Sequence, residues 1–111
     1  THARGRLVAR VIDEDASGLK ALASALTSAP GFIAILVSGS SPALVVVARS
    51  KDVTVSCHEI VLAVTKRLGG RGGGTADLAQ GGGMPAPSAS ILETARQSLD
   101  ALSQQTGPPP R

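Results

Sequence analysis

The sequence predicts an α/β fold, a mixed β-sheet packed with helices in the order β-α-β-β-α-(β)-α, layered as a two- or three-layer sandwich. Three observations carry that expectation. Residues 32–37 and 43–48 are unbroken apolar runs, the pattern of strands covered on both faces. Three other segments repeat apolar residues every three to four positions, the period of a helix with one buried stripe. Phe32 is the only aromatic residue among 111, so the core must be assembled from Leu, Val, Ile and Ala.

The elements follow in order. Residues 6–12 read as a strand with Leu7, Ala9 and Val11 on one face. Arg6 and Arg10 share the other face with Val8 and Ile12, so that face is expected to be only partly covered. Asp15 or Ser17 can cap the helix that follows, whose Leu19, Leu22, Ala23 and Leu26 form one stripe; Pro30-Gly31 ends it. The runs 32–37 and 43–48 are joined by the turn residues 38–42 and should pair as an antiparallel hairpin. The first β-α-β unit should be a parallel crossover. A second helix is expected over residues 55–68, with Ile60, Val61, Val64 and Leu68 inward. Leu78 and Ala79 could supply a short edge strand. After Pro85 and Pro87, Ser88 or Ser90 opens a last helix with Leu92, Ala95, Leu99 and Leu102 on one side. One domain over residues 5–105 is expected, and residues 106–111, rich in proline, read as a frayed tail.

Composition narrows the function classes. At 111 residues, a single domain can bury roughly 65% of its unfolded surface without staples. Cys57 is the one cysteine, which excludes an internal disulfide framework and a multi-cysteine zinc site, and fits a reducing, cytoplasmic setting. No run approaches the ~18–20 apolar residues of a membrane span, so no membrane association is expected. The chain opens on Thr1 and is expected to be a piece of a longer protein. The net charge of +3 is modest, but cations cluster at Arg4, Arg6 and Arg10, at Arg49 and Lys51, and at Lys66, Arg67 and Arg71. Such clusters predict a surface that attracts polyanions.

The densest signal lies in residues 66–83. A helix presenting Lys66 and Arg67 runs into Gly69, Gly70, Arg71, Gly72, Gly73 and Gly74, then Thr75, Ala76, Asp77, Leu78, Ala79 and Gln80, then a second run from Gly81 to Gly83. Glycine lets backbone come close to another group. Such density beside three cations predicts a loop whose N–H groups and basic side chains meet phosphate.

Other chemistries fit poorly. A Walker loop needs a lysine after its last glycine and lies between a strand and a helix; here the glycines follow a helix and Gly74 precedes Thr75. The dinucleotide fingerprint lacks its strand and helix. Cys57 and His58 are adjacent, so on a helix they point about 100° apart and cannot share a metal. Near a helix N-terminus Cys57 is expected to be somewhat acidic, and to act as a small packed residue. Asp52 and Asp77 have no carboxylate partner at a catalytic spacing. Aromatic platforms for stacking bases are missing, so any RNA is expected to be held by backbone and shape. Neither a catalytic residue nor a cofactor is expected.

The stretch from Arg67 to Gly82 resembles the signature of the globular C-terminal domain of alanyl-tRNA synthetases. That domain also ends long-form alanyl-tRNA editing proteins, and a related version is attached to DHH-type phosphoesterases. The pattern there is two glycines, a basic residue, three glycines, Arg-Pro-Asp, an apolar residue, Ala-Gln, a small residue and two glycines. The resemblance covers roughly residues 5–105. It implies an α/β domain that helps hold tRNA, the alanine-specific tRNA above all, beside catalytic and editing domains of the same parent chain. By carry-over Gly69, Gly70, Arg71, Gly72, Gly73, Gly74, Asp77 and Gln80 occupy the motif positions; the cation clusters add Lys66 and Arg67, and the loop adds Thr75, to the expected RNA-binding set, with Arg6, Arg10, Arg49 or Lys51 extending the surface. Thr75-Ala76 departs from the usual Arg-Pro, removing a cation and a rigid turn. The phosphoesterase version carries a histidine where Arg71 stands, which argues against a phosphate-substrate domain. Dimerisation through the glycine segment and last helix is the third reading.

Overall fold

A computed structural model describes residues 6–39, 43–53 and 55–105, with residues 102–105 as backbone only. Three helices flank one five-stranded sheet. The elements are β1 (Arg6–Ile12), α1 (Ala16–Thr27), β2 (Phe32–Ser38), β3 (Ala43–Arg49), α2 (Cys57–Leu68), β4 (Arg71–Gly74), β5 (Leu78–Met84) and α3 (Ser88–Gln105). Across the sheet the strands run β1-β2-β3-β5-β4. As expected, β1 and β2 are parallel and β2 and β3 antiparallel. β5 pairs antiparallel with both β3 and β4.

The central runs are covered on both faces, and alternation sorts their side chains. Ile33, Ile35, Val37, Val45 and Val47 pack with Ile60, Val61 and Val64 of α2 and Ile91, Ala95 and Leu99 of α3. Ala34, Leu36, Val46 and Ala48 face the other way, onto Leu19 and Ala23 of α1. The sandwich therefore has three layers: α1, the sheet, then α2 with α3. One helix cannot cover five strands. α1 lies over β2 and β3, and this leaves the same face of β4 and β5 uncovered.

Several expectations need correction. Residues 71–74 and 78–84 form a β-hairpin, not a loop. β5 is an inner strand, while β4 is the edge. Leu22 is 39% exposed and Val11 43% exposed, because α1 rests on its Leu19–Ala23 line and β1 is the opposite edge strand. In α3 the innermost residue of the first turn is Ile91; Leu92 is only partly buried. Asp15 is the N-cap of α1, its Oδ1 accepting from Gly18 N at 2.9 Å. Ser56 caps α2, which begins at Cys57; Val53 and Val55 before it are buried in the core. Arg4, the turn residues 40–42, the Leu102 side chain and the tail from residue 106 lie outside the described residues.

Candidate nucleic-acid interface

The hairpin is shaped by what its glycines must avoid. α2 ends where Gly69 N donates to Thr65 O at 2.8 Å, and the chain turns through Gly70, whose φ is +99°. A Cβ there would stand 2.5 Å from Gly82 O, so only glycine fits both the dihedral and the space. β4 then pairs with β5 in the register Arg71↔Gly82, Gly72↔Gly81, Gly73↔Gln80 and Gly74↔Ala79. Facing residues share a side, so Gly72 and Gly81 look toward α2. A methyl at Gly72 would run into Val61 Cγ1, and one at Gly81 would lie 3.1 Å from it.

Residues 75–77 close the hairpin. Thr75 N donates to Leu78 O at 2.9 Å, and Thr75 Oγ1 accepts from Asp77 N at 3.3 Å and Leu78 N at 3.2 Å. The threonine hydroxyl thus braces the turn where the family pattern has Arg-Pro. Arg49 then ties the turn to the end of β3. Its Nε donates to Asp77 Oδ1 at 2.9 Å, its Nη2 lies 2.8 Å from the same oxygen, and its Nη1 donates to Val55 O at 2.8 Å. Arg49 N also donates to Asp77 O at 3.0 Å, and Cys57 N to Ala76 O at 3.0 Å. Arg49 and Asp77, expected at the RNA surface, are engaged with each other.

The other side of the hairpin borders a groove of about 700 Å³. Its floor includes Gly73, Gln80 and Gly82, its wall Leu44 and Leu78, and its rim Arg71 from β4 and Lys20 from α1. Leu44 and Leu78 are continuous with the core beneath α1. The outer backbone edge of β4 is unpaired by any described strand, so peptide N–H groups remain on offer beside the groove. The glycine segment is not sealed under neighbouring elements: Arg71, Gly72, Gly74 and Gln80 are exposed.

The three cations adjacent in sequence do not converge. Lys66 and Arg67 belong to α2, on the opposite face, where Arg67 Nη1 donates to Gln97 Oε1 at 3.5 Å; neither lines the groove. Arg6 and Arg10 lie on β1, with three strands between it and β4, and the Arg6 guanidinium is 5.9 Å from the Phe32 ring centroid. Lys20 was missed by sequence reasoning, since nothing in the helical pattern of α1 marks it as a neighbour of Arg71.

Cys57 is fully buried. Burial pushes its thiol from the ordinary 9.0 up to about 12, opposed by the Arg49 charge, reinforced by Asp77 and opposed by a backbone hydrogen bond. Desolvation outweighs the position at the start of α2, so the expected acidity is overturned while the packed role holds. Among the described residues no group of three or more His, Cys, Asp or Glu could hold a metal ion, and no helix is long and apolar enough to cross a membrane.

Residues 5–102 match the DHHA1 domain. The chain belongs to that family. This DHHA1 domain is 37% identical over 99 residues to the alanine–tRNA ligase of Acidothermus cellulolyticus, a match covering 84% of the chain and 11% of the ligase. It is 37% identical over 112 residues to the ligase of a Synechococcus species, covering 91% of the chain and 13% of that ligase. The chain therefore spans about a tenth of the length of the curated relatives it matches. Among solved structures, the C-Ala domain of Aquifex aeolicus alanyl-tRNA synthetase superposes with a TM-score of 0.75 at 28% identity. That match covers 89% of this chain and 95% of the C-Ala domain. The C-terminal-domain resemblance noted in the sequence is thereby shown.

Proposed function

We propose that this DHHA1 domain binds tRNA, the alanine-specific tRNA in particular, as the non-catalytic C-terminal domain of an alanine–tRNA ligase acting in cytoplasmic protein synthesis. The observation that carries the reading is the exposed β4–β5 hairpin. It offers a backbone edge that no described strand pairs, and the cation Arg71, which no described acid pairs, within the segment that resembles the synthetase signature. Peptide N–H groups and Arg71 contact phosphate oxygens, and the exposed Gln80 amide can add a hydrogen bond. Thr75, Asp77, Gly69, Gly70 and Gly74 serve this surface indirectly, by shaping the hairpin. The ligase relatives favour this reading over a phosphoesterase domain, because Arg71 stands where that version has its histidine.

The test is titration of alanine tRNA with the wild-type chain and with Arg71→Ala at several salt concentrations. Wild-type affinity should fall steeply with ionic strength, because each neutralised phosphate releases counterions. Arg71→Ala should weaken binding about tenfold and reduce the salt slope by roughly one. Absence of tRNA binding at low salt, or affinity indifferent to salt, would refute the proposal.

A further inference from the structure

We infer that the groove between α1 and the β4–β5 hairpin receives a phosphodiester group of the bound RNA, held between Lys20 and Arg71 over the bare floor at Gly73. The inference rests on the tRNA-binding reading and adds to it which face of the domain meets the RNA, and a residue outside the glycine segment.

Three independent features converge. First, the groove is rimmed by cations from separate elements, Lys20 on α1 and Arg71 on β4. Among the described residues neither forms an ion pair, whereas Arg49 is held by Asp77 and Arg96 by Glu93 at 2.9 Å. Uncommitted cations on both sides of one concavity are suited to an anion between them.

Second, the fold does not require a glycine at Gly73. Gly70, Gly74 and Gly83 have positive φ, Gly72 and Gly81 pack on Val61, and a Cβ at Gly82 would meet Leu44 Cδ2 at 2.7 Å. A Cβ at Gly73 would meet nothing within 4 Å, and its φ is not positive. Glycine weakens a strand, and in a strand it often marks close approach of a ligand. Third, about 700 Å³ is ample for a sugar–phosphate unit, and its lining mixes the Gln80 amide with apolar Leu44 and Leu78, as a ribose and its phosphate require.

The experiment measures alanine-tRNA affinity and its salt slope for the 111-residue chain, for Lys20→Ala, for Gly73→Val, and for the paired change Lys66→Ala with Arg67→Ala. Arg96→Ala, in α3 on the far side, is the control. Thermal melting checks that each variant is folded, and Gly73→Ser replaces Gly73→Val should the valine disturb the strand. Lys20→Ala should lower affinity about tenfold and reduce the salt slope by roughly one. Gly73→Val should lower affinity at least tenfold with an unchanged slope, the signature of a steric block and not of lost charge. The Lys66, Arg67 pair should weaken binding less than Lys20 alone. If Arg71→Ala weakens binding while Lys20→Ala and Gly73→Val bind like wild type, the groove inference fails and the tRNA reading stands. A larger effect from the Lys66, Arg67 pair overturns the inference by placing the RNA on the α2 face. If the wild-type chain binds no tRNA, both fall together.

Discussion

The two faces of the β4–β5 hairpin use glycine for opposite reasons. Toward α2, Gly72 and Gly81 are small because Val61 occupies the space a side chain would need. Toward the groove, Gly73 is small although the space beside it is empty. On the first face the Val61 side chain of α2 lies directly against strand backbone. The second is a surface kept clear. The same residue type in the same strand thus marks a constraint of packing on one side and an opening on the other. Only the contact made by the absent Cβ separates them.

Substitutions at neighbouring positions should break the symmetry most sharply. Gly72→Val forces Val61 and the Gln80 carbonyl apart, and overpacking of this kind costs about 1–3 kcal/mol. Urea denaturation should show that loss, together with weaker tRNA binding as the hairpin shifts. Next comes Arg49→Ala, which removes the donors that hold Asp77 and Val55 O. Because Asp77 is 65% exposed, solvent replaces part of the loss, and about 1–2 kcal/mol is expected. Hydrogen exchange at the Asp77 and Leu78 amides should quicken, with Arg49→Lys recovering only part of the protection.

At neutral pH the Cys57 proton leaves stability unchanged, and its effect is confined to alkaline pH. The folded Cys57 thiol keeps its proton up to about 12, against an ordinary 9.0, so above pH 9 the unfolded chain releases a proton that the folded chain retains. Stability from this group is intact below about pH 9 and falls as pH rises toward 12, by at most about 1.4 kcal/mol per pH unit. Subtracting the stability–pH curve of Cys57→Ala from that of wild type should isolate this slope. The smallest effect is expected at Gly73→Val, whose melting temperature should match wild type or rise slightly, since valine suits a strand better than glycine. A large destabilisation there would show that the groove face is packed after all.

Much of the framework was legible from side-chain pattern. The runs at 32–37 and 43–48 announced two-face burial because unbroken apolar sequence has no solvent side to offer. Ile60, Val61 and Val64 announced the buried stripe of α2 by their spacing. Asp15 sits where the cap of α1 is needed. Leu78 and Ala79 hinted at β5, but β4 was not legible as a strand, because glycine carries no period: Gly72, Gly73 and Gly74 give no alternation to read. Arg49 looked like a surface cation, since nothing local shows that Asp77 folds back against it. Leu22 looked buried because a helical stripe states which side chains are apolar, not how wide the partner surface is.

The sequence by itself determined the class of the domain, the parallel and antiparallel pairing of its first three strands, and its family, all of which rest on local patterning and a contiguous signature. Tertiary structure alone decided that the glycine segment becomes an edge hairpin, that α1 leaves its face uncovered, and that Lys20 and Arg71 border one groove while Lys66 and Arg67 lie outside it. The physical reason is that pairing and layer coverage are long-range: where a residue with no side chain lies depends on which strand it pairs with and which helix covers it, and neither neighbour is adjacent in the chain.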